Sequence, residues 1–377
     1  MRDNYCGPKN IINTHIAEEQ VHGLMEVPVH KDQDHQADVG HHDEDVNDQE
    51  EDKGRKEGLG DMENQTFNGD ILILEGLKVT SQTVIPVFIF LLIVYIFIMV
   101  SNIGLVVLIF TNRSLHQPMY LLYCNMSVND VLGATVVTPV ILRDILIPHS
   151  RRYINYIDCA AQAFGVHLYA GTAQTVLMIM AFDRYTAICN PLRYGTIMTT
   201  RMVVMLSVAA WGTISVLVAI LLGLSIRLSR CRSVIFNPFC DNASLFKLSC
   251  ESVLINNIYG LGYTVVLLGS SIGSVTVTYL RIAAVCVLSK NKVLNSKALQ
   301  TCATHLAVYI ILLVSGSIIA ILHRFPQLSD HRKVAAVLGH LAVPALNALI
   351  YGLQIKEVRQ RIMALFRSNK VALMERK

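Results

Sequence analysis

The sequence predicts an all-α membrane protein: a seven-transmembrane helix bundle followed by a short amphipathic eighth helix. The chain has 377 residues, of which 53% are hydrophobic and only 16% are charged, whereas a soluble globular domain carries about 25% charged residues. Seven apolar segments are each long enough for a helix to cross the hydrocarbon core, which takes about 20 residues. Because backbone groups in lipid must bond within their own segment, each segment is expected to form an uninterrupted helix.

The apolar segments follow one another between residues 84 and 351. They run near Val84–Phe110, Met119–Leu142, Ala160–Tyr185, Met202–Leu224, Val253–Leu280, Leu299–Leu322 and Lys333–Tyr351. Pro139 and Pro344 lie inside the second and seventh segments, where proline kinks a helix. After the last segment, Ile355, Val358 and Ile362 share one face of an amphipathic pattern, which predicts a short helix along the inner membrane surface.

Residues 1–61 differ sharply in composition from the rest of the chain. They hold 16 acidic, six basic and six histidine residues, whereas residues 62–377 hold 12 acidic and 26 basic residues. Such a polar tract buries too little apolar surface to offset chain entropy, so we expect it to be disordered. Its histidines lack the spacing of a metal site. The basic character of the remainder is typical of the inner ends of membrane helices and does not indicate a nucleic-acid partner.

Basic residues and glycosylation acceptors indicate how the chain is oriented. With a cytoplasmic C-terminus, 15 Lys and Arg residues beyond residue 62 lie inside and 11 lie outside, which has the sign that membrane proteins usually show. Asn64 and Asn242 begin Asn-x-Ser/Thr acceptors that fall outside in this topology. The prediction is a multi-pass plasma-membrane protein with an extracellular N-terminus.

The most informative stretch is Met180–Tyr194, which reads MAFDRYTAICNPLRY at the inner end of the third segment. It places the carboxylate of Asp183 beside the guanidinium of Arg184, followed by Tyr185, at a membrane boundary. Ionisable groups there are costly and usually functional. The full run resembles the third-helix signature of olfactory receptors, within the rhodopsin-like G-protein-coupled receptors.

The resemblance covers nearly all of residues 62–377. The runs LHQPMY at Leu115–Tyr120, KALQTCATHL at Lys297–Leu306 and PALNALIY at Pro344–Tyr351 match patterns of the family in the family's order. Met62 resembles the usual start of such receptors. We therefore predict an odorant receptor domain at 62–377 and an upstream extension at 1–61 that has no receptor role.

The resemblance also implies residues that switch the bundle and open an inner cavity for a G protein. Asp130 matches the buried carboxylate of the second helix, and Asn102 and Asn347 are its expected neighbours. A lone carboxylate in hydrocarbon must pair, protonate or hold a cation; a helix-packing hydrogen bond is the alternative to a functional role. The implied set is Asp130, Asp183, Arg184, Tyr185, Tyr279, His305, Asn347 and Tyr351.

Three positions depart from the family pattern. Ala348 stands where the family has a kinking proline, so we expect a straighter inner seventh helix. Ala173 stands where an acid near Asp130 is often found, which argues against a bound sodium ion. Leu312–Val314 replace a Phe-Tyr-Gly run, which removes an aromatic side chain from the pocket floor.

The cysteines indicate a stapled loop on the outer face. Cys159, Cys231, Cys240 and Cys250 fall there, where oxidising conditions preserve disulfides, and four cysteines allow three pairings. The loop that holds the last three resembles the long second outer loop of olfactory receptors. That resemblance implies the pairs Cys159–Cys240 and Cys231–Cys250, which would make the loop a lid over an outward-facing cavity.

Helix positions place a ligand cavity beneath this lid, mostly apolar with a few polar anchors. The candidate lining residues are His167, Ala170, Gly171, Tyr259, Tyr263, Leu267, Gly316, Ala320, Arg324, Val337 and His340. His167 and His340 are either ligand anchors or satisfied interhelical histidines, and the sequence favours neither. Arg324 either binds a carboxylate or extends its head to the membrane interface.

Together these patterns predict a G-protein-coupled odorant receptor that binds a small odorant and activates a stimulatory olfactory G protein. It is expected to be no enzyme and to need no cofactor, since the sequence shows no nucleophile triad, metal site or nucleotide loop. A receptor of this family with a non-olfactory ligand and tissue is the nearest alternative. A membrane transporter is more distant, because the sequence has no inverted repeat or chain of intramembrane acids.

Overall fold

The structure is a computed structural model that describes residues 70–288, 292–322, 325–355 and 358–360, with the backbone alone at residues 149, 292–301, 320, 326 and 354. The described residues all belong to the unit Asn68–Lys377. The predicted extension at 1–61 and the acceptor Asn64 lie outside the described residues. So do residues 361–377, which carry most of the predicted eighth helix; residues 358–360 at its start are helical.

Seven long helices form the described part of the fold, as the sequence predicted. They are α1 (Val84–Thr111), α2 (Pro118–Leu146), α3 (Tyr156–Cys189), α4 (Thr200–Ile226), α5 (Leu254–Leu288), α6 (Lys292–Leu322) and α7 (Ser329–Gln354). Each contains a stretch that is long and apolar enough to cross a membrane. Most helices extend past the predicted spans, because polar residues continue a helix beyond the hydrocarbon core. The fold prediction is confirmed for the seven-helix bundle.

Helices α2 and α3 form the interior of the bundle. In their apolar stretches 56% and 61% of the residues are buried, against 11% in α1. Helix α3 packs against α2, α4, α5 and α6. Its residues therefore face neighbouring helices at almost every depth, which makes α3 the element that links the two ends of the bundle.

A small sheet covers one end of the bundle. It consists of β1 (Ile71–Leu74), β2 (Tyr153–Asn155) and β3 (Val234–Ile235) in the order β2-β1-β3. The central strand is antiparallel to β2 and parallel to β3. Strand β3 lies in the loop between α4 and α5, residues 227–253, which we call the lid; the end of the bundle beneath it is the lid end.

Strand β1 is anchored by burial and by one arginine. Leu72 and Leu74 are 1% and 0% exposed. Arg152 donates from Nη1 to the Glu75 carbonyl at 3.0 Å and from Nε to the Ile147 carbonyl at 3.0 Å. Gly76, which follows Glu75 in the chain, has a φ angle of +66°, and a Cβ there would lie 2.7 Å from Arg152 Nη1. Glycine is required at this turn, because a side chain would strain the backbone and displace the arginine.

Candidate functional site

Two disulfides hold the lid. Cys159 at the start of α3 is bonded to Cys240 with a Cα–Cα distance of 5.3 Å, and Cys231 is bonded to Cys250 with a Cα–Cα distance of 5.8 Å. These are the two pairs that the family resemblance implied. The first bond crosses from the lid to α3, whereas the second closes a loop within the lid.

Side chains of α3 and α4 bind the lid directly beside the first disulfide. The backbone N–H of Cys240 donates to Gln162 Oε1 at 2.8 Å, and that of Asn242 donates to His167 Nε2 at 3.1 Å. Ser225 Oγ donates to Asn242 Oδ1 at 2.7 Å. Buried backbone donors of the lid are thus paired, which holds residues 240–242 against the bundle.

A cavity of about 400 Å³ lies beneath the lid, between α3, α5, α6 and α7. Its volume falls in the range of small-molecule pockets, about 300–1,000 Å³. Six of the candidate residues from the sequence lie on its wall: His167, Ala170, Tyr263, Leu267, Gly316 and His340. Most of the remaining wall is apolar, with side chains such as Val166, Phe239 and Leu268.

Three other candidate residues do not line the cavity. A Cβ on Gly171 would lie 2.6 Å from the Tyr263 hydroxyl and 2.7 Å from Ile214, so this glycine serves close helix packing. The Tyr259 hydroxyl donates to the Leu217 carbonyl of α4 at 3.2 Å, and Val337 is buried in the apolar cluster that includes α1 and α2 side chains. The helices are rotated so that these positions face neighbouring helices. The side chain of Ala320 and all of Arg324 lie outside the described residues.

The two histidines on the wall both have structural partners. His167 accepts a hydrogen bond from the lid backbone, as described above. His340 Nδ1 donates to the Ala336 carbonyl at 2.9 Å, and its ring packs edge-on against Phe239 with centroids 4.8 Å apart. The hydrogen bond of His167 goes to the lid and that of His340 stays within α7, so neither bond joins two helices, and both residues border the cavity.

Sequence reasoning missed two parts of the wall. The lid contributes residues 237–239 and 241–243, and the start of α7 contributes Arg332, Lys333 and Ala336. The implied Cys159–Cys240 bond was a signal for the lid, because residues next to Cys240 must lie near α3. No comparable signal existed for Arg332 and Lys333, which had the appearance of an ordinary charged helix start.

The predicted glycan on Asn242 does not fit the structure. The Asn242 side chain is 6% exposed, borders the cavity and accepts a hydrogen bond from Ser225. A glycan is bulky and needs a side chain at the surface. The Asn-x-Ser pattern at this position therefore serves lid packing in the folded protein.

At the opposite end of the bundle, Asp183 and Arg184 form an ion pair. Arg184 Nε donates to Asp183 Oδ2 at 2.9 Å, and the Tyr194 hydroxyl donates to Asp183 Oδ1 at 2.9 Å. The side chains of Asp183 and Arg184 are 1% and 15% exposed. Burial, together with the Asp183 carboxylate, raises the pKa of Tyr194 above its usual value, so its hydroxyl remains a donor. Tyr185 is partly buried beside this pair.

Aromatic and histidine side chains pack around Arg184. Tyr279 of α5 is hydrogen-bonded to His305 of α6, and Tyr123 stacks on Tyr351 of α7 with ring centroids 4.6 Å apart. The space left between these groups and Arg184 is only about 10 Å³. Of the residues implied as a switch, Asp183, Arg184, His305 and Tyr351 meet at this closed place, and Tyr279 is bonded to His305. Asp130 and Asn347 do not border it.

The buried carboxylate of Asp130 lies deep inside the bundle. Asn347 Nδ2 donates to both of its oxygens, at 3.0 and 3.2 Å. Asn102, the second expected neighbour, instead donates to the Ile98 carbonyl of its own helix at 3.0 Å. Helices α2 and α7 are therefore linked by Asp130 and Asn347, while α1 satisfies the donor of its asparagine internally.

A seven-helix membrane bundle with a disulfide-anchored lid over a cavity at one end, and an Asp-Arg-Tyr cluster at the other, defines a receptor of the seven-helix class. The olfactory receptor family profile matches residues 91–369. The chain belongs to the olfactory receptor family, whose members are receptors rather than enzymes. It is accordingly a multi-pass plasma-membrane protein.

Individual relatives cover most of the chain. Olfactory receptor 51E1 of Homo sapiens is 33% identical over 72% of this chain and 86% of its own length. Olfactory receptor 5B17 of Homo sapiens is 30% identical over 83% of this chain and 99% of its own length. Olfactory receptor-like protein COR2 of Gallus gallus is 32% identical over 78% of this chain and 94% of its own length.

Proposed function

We propose that the protein is a G-protein-coupled odorant receptor that binds a small odorant in the cavity beneath the lid and activates a stimulatory olfactory G protein at the opposite end. In this proposal the lid and the N-terminus are extracellular. Residues 62–377 carry the activity, residues 1–61 are an extension without a receptor role, and surrounding lipid is the other partner.

The cavity at the lid end is the observation that carries the proposal. It has an apolar wall, a few polar groups and a volume of about 400 Å³, which are the properties of a small-molecule site. The disulfide to α3 and the hydrogen bonds that the lid backbone donates to Gln162 and His167 keep its roof in place. A preformed roof lowers the ordering cost of binding.

The closed cluster around Arg184 supports a switch at the opposite end. Arg184 is held by Asp183, which Tyr194 also binds, and the neighbouring space is too small for a partner. A G protein would need this cluster to open. A ligand that binds the open arrangement more tightly than the closed one would shift the population towards it.

The pair of Asp130 and Asn347 links α2 and α7 between the two ends. Helix α3 carries cavity residues such as His167 near one end and Arg184 at the other. A change in how α7 and α3 pack at the cavity would therefore reach the Asp130–Asn347 pair through α7 and the Asp183–Arg184 pair through α3. We propose that Tyr279, His305 and Tyr351 respond to the same change, because they pack beside Arg184 or its neighbours.

A cell-based screen tests the proposal. Cells that express the full chain with the olfactory G protein would be exposed to odorant mixtures while cyclic AMP is measured, with untransfected cells as the control. At least one mixture is expected to raise cyclic AMP in receptor-expressing cells alone. A mixture component that is carried across the membrane, with no cyclic AMP response to any mixture, would favour a transporter instead.

A further inference from the structure

The cavity wall carries charged side chains as well as apolar ones. Arg332 and Lys333 at the start of α7 are 8% and 1% exposed, and Asp241 of the lid borders the same cavity. A buried charge is costly unless an opposite charge or hydrogen bonds compensate it. The compensation of each cation therefore decides which ligand charge the wall accepts.

The guanidinium group of Arg332 is hydrogen-bonded to the lid. Its Nη2 donates to Asn237 Oδ1 at 3.0 Å, and the amide nitrogen of Asn237 lies 3.4 Å from both carboxylate oxygens of Asp241. Asn237 thus lies between a guanidinium and a carboxylate and orients its dipole to suit both. Asp241 is therefore the carboxylate that is connected to Arg332, through the side chain of Asn237.

Two carboxylates lie near the ammonium group of Lys333, one in the segment before α1 and one on α7 itself. Its Nζ lies 3.0 Å from Glu75 Oε1 and 3.7 Å from Asp330 Oδ1, a charge contact rather than a well-directed hydrogen bond. The Asp330 side chain is 51% exposed and that of Glu75 only 23%. Water and salt screen the exposed carboxylate more strongly, so Glu75 is the main counter-ion of Lys333.

Glu75 is placed firmly by the sheet. Its backbone N–H donates to the Ile235 carbonyl of β3 at 2.9 Å, and its carbonyl accepts from Arg152 Nη1 at 3.0 Å. The preceding residue, Leu74, is fully buried. The segment before α1 therefore holds the backbone of Glu75 in place, and the carboxylate reaches Lys333 from there.

We infer that Glu75 is a specificity-determining residue: by neutralising Lys333 it balances the charge of the described cavity wall, so that the site takes uncharged small molecules with an apolar body. The inference rests on the proposed ligand-binding function. With Glu75 present, the two cations are matched by the carboxylates of Asp241 and Glu75. The third carboxylate nearby, Asp330, is exposed and therefore screened by solvent. An ionic ligand would lose its hydration and find no unpaired opposite charge on the cavity wall to bind. An uncharged ligand avoids that cost.

Three probes of equal chain length test the inference: 1-octanol, octanoate and octylammonium. The purified full-length receptor would be heated with each probe, and the shift of its unfolding midpoint measured, since a ligand that binds the folded state stabilises it. The wild-type protein is expected to be stabilised most by 1-octanol. Glu75→Gln leaves Lys333 with only the exposed carboxylate of Asp330, so the apparent affinity for octanoate should rise on the order of tenfold.

The reverse substitution and the double variant complete the test. Lys333→Gln leaves Glu75 unbalanced and should raise the affinity for octylammonium instead, and it provides an independent measurement if Glu75→Gln fails to fold. The double variant should again favour 1-octanol. Asp330→Asn is the matched control, because this carboxylate also lies near Lys333 but is exposed. The probe order, which is the ranking of the three probes by how much each raises the unfolding midpoint, should be the same in this variant as in the wild type.

Two results would overturn the inference. One is a wild-type receptor that octanoate or octylammonium stabilises more than 1-octanol does. The other is a probe order that neither Glu75→Gln nor Lys333→Gln changes. Because the measurement needs no G protein, a failure of coupling would appear separately, as a loss of cyclic AMP response with the probe order intact.

Discussion

The two ends of the bundle differ in how much space they enclose and in what closes them. The lid end contains a cavity of about 400 Å³, whereas the cluster around Arg184 leaves about 10 Å³. A disulfide, a three-stranded sheet and backbone hydrogen bonds hold the lid. At the opposite end, the described contacts that close the cluster are between the side chains of Asp183, Arg184, Tyr194 and their neighbours.

This difference indicates that the two ends have different functions, ligand selection at the lid end and switching at the opposite end. A roof held by covalent and backbone bonds keeps its shape while ligands exchange, which suits a selective site. Side-chain ion pairs and ring contacts can be exchanged for others at small cost, which suits an element with two arrangements. The predictions below test this contrast, beginning with the substitution expected to have the largest effect.

Breaking the disulfide between the lid and α3 should have the largest effect. Cys159→Ser or Cys240→Ser removes the bond that fixes the roof, and losing a native disulfide typically costs about 2–5 kcal/mol. Surface expression, measured by antibody labelling of intact cells, is expected to be lost. Cys231→Ser is the matched control, because that bond closes a loop within the lid, and its loss should be smaller. Normal trafficking of both α3-linked variants would contradict the expected role of the bond.

Removing the arginine at the opposite end should abolish signalling without abolishing binding. Arg184 is far from the cavity and 15% exposed, so Arg184→Ala should fold and still bind ligand. Its cyclic AMP response is expected to vanish, while ligand-dependent thermal stabilisation persists and is weakened only by loss of the coupled state. A variant that signals at normal strength would show that the Asp-Arg-Tyr cluster is only structural.

A glycine in the interior should be far more sensitive than one facing outward. A Cβ on Gly133 would lie 2.5 Å from the Tyr169 ring, whereas one on Gly104 would meet nothing within 4 Å. Overpacking costs about 1–3 kcal/mol, so Gly133→Ala should lower the thermal midpoint of the purified receptor. Gly104→Ala should leave it unchanged or slightly raised. Equal effects of the two substitutions would mean that Tyr169 moves aside freely.

Loosening the closed end should raise basal activity modestly. Tyr194→Phe removes the hydroxyl that binds Asp183 at 2.9 Å. A typical hydrogen bond contributes about 0.5–1.5 kcal/mol, which corresponds to roughly a two- to tenfold shift in population. Ligand-free cyclic AMP should therefore rise by that order. Tyr153→Phe, at the lid end and 46% exposed, is the control and should not change it; a fall in Tyr194→Phe would show that the bond supports the active arrangement.

Shortening the N-terminus should have the smallest effect, provided that β1 is kept. A receptor that begins at Met62 retains Leu72, Leu74 and the carboxylate of Glu75, so it should reach the surface and respond like the full chain. A receptor that begins at Gly76 lacks them and should fail to reach the surface. Loss of surface expression in the Met62 variant alone would show that residues 1–61 do contribute.

The helices and the disulfides were predictable, whereas much of the cavity wall was not. A predicted disulfide places two residues together, and the Cys159–Cys240 bond does so in the structure. Whether a residue of a helix lines the cavity depends instead on how that helix is rotated about its axis. Gly171 and Tyr259 face neighbouring helices, while Lys333 borders the cavity. Rotation is set by contacts with several helices at once, and no local pattern reports it.

The sequence by itself determined the seven spans, their order and the position of the Asp-Arg-Tyr cluster. Lipid forces long apolar segments to be helical, so length and composition are sufficient for those features. Only the tertiary structure decided that β1 joins the lid, that Asn242 is buried and that Glu75 lies beside Lys333. These are contacts between residues distant in the chain, formed by packing that local sequence does not encode.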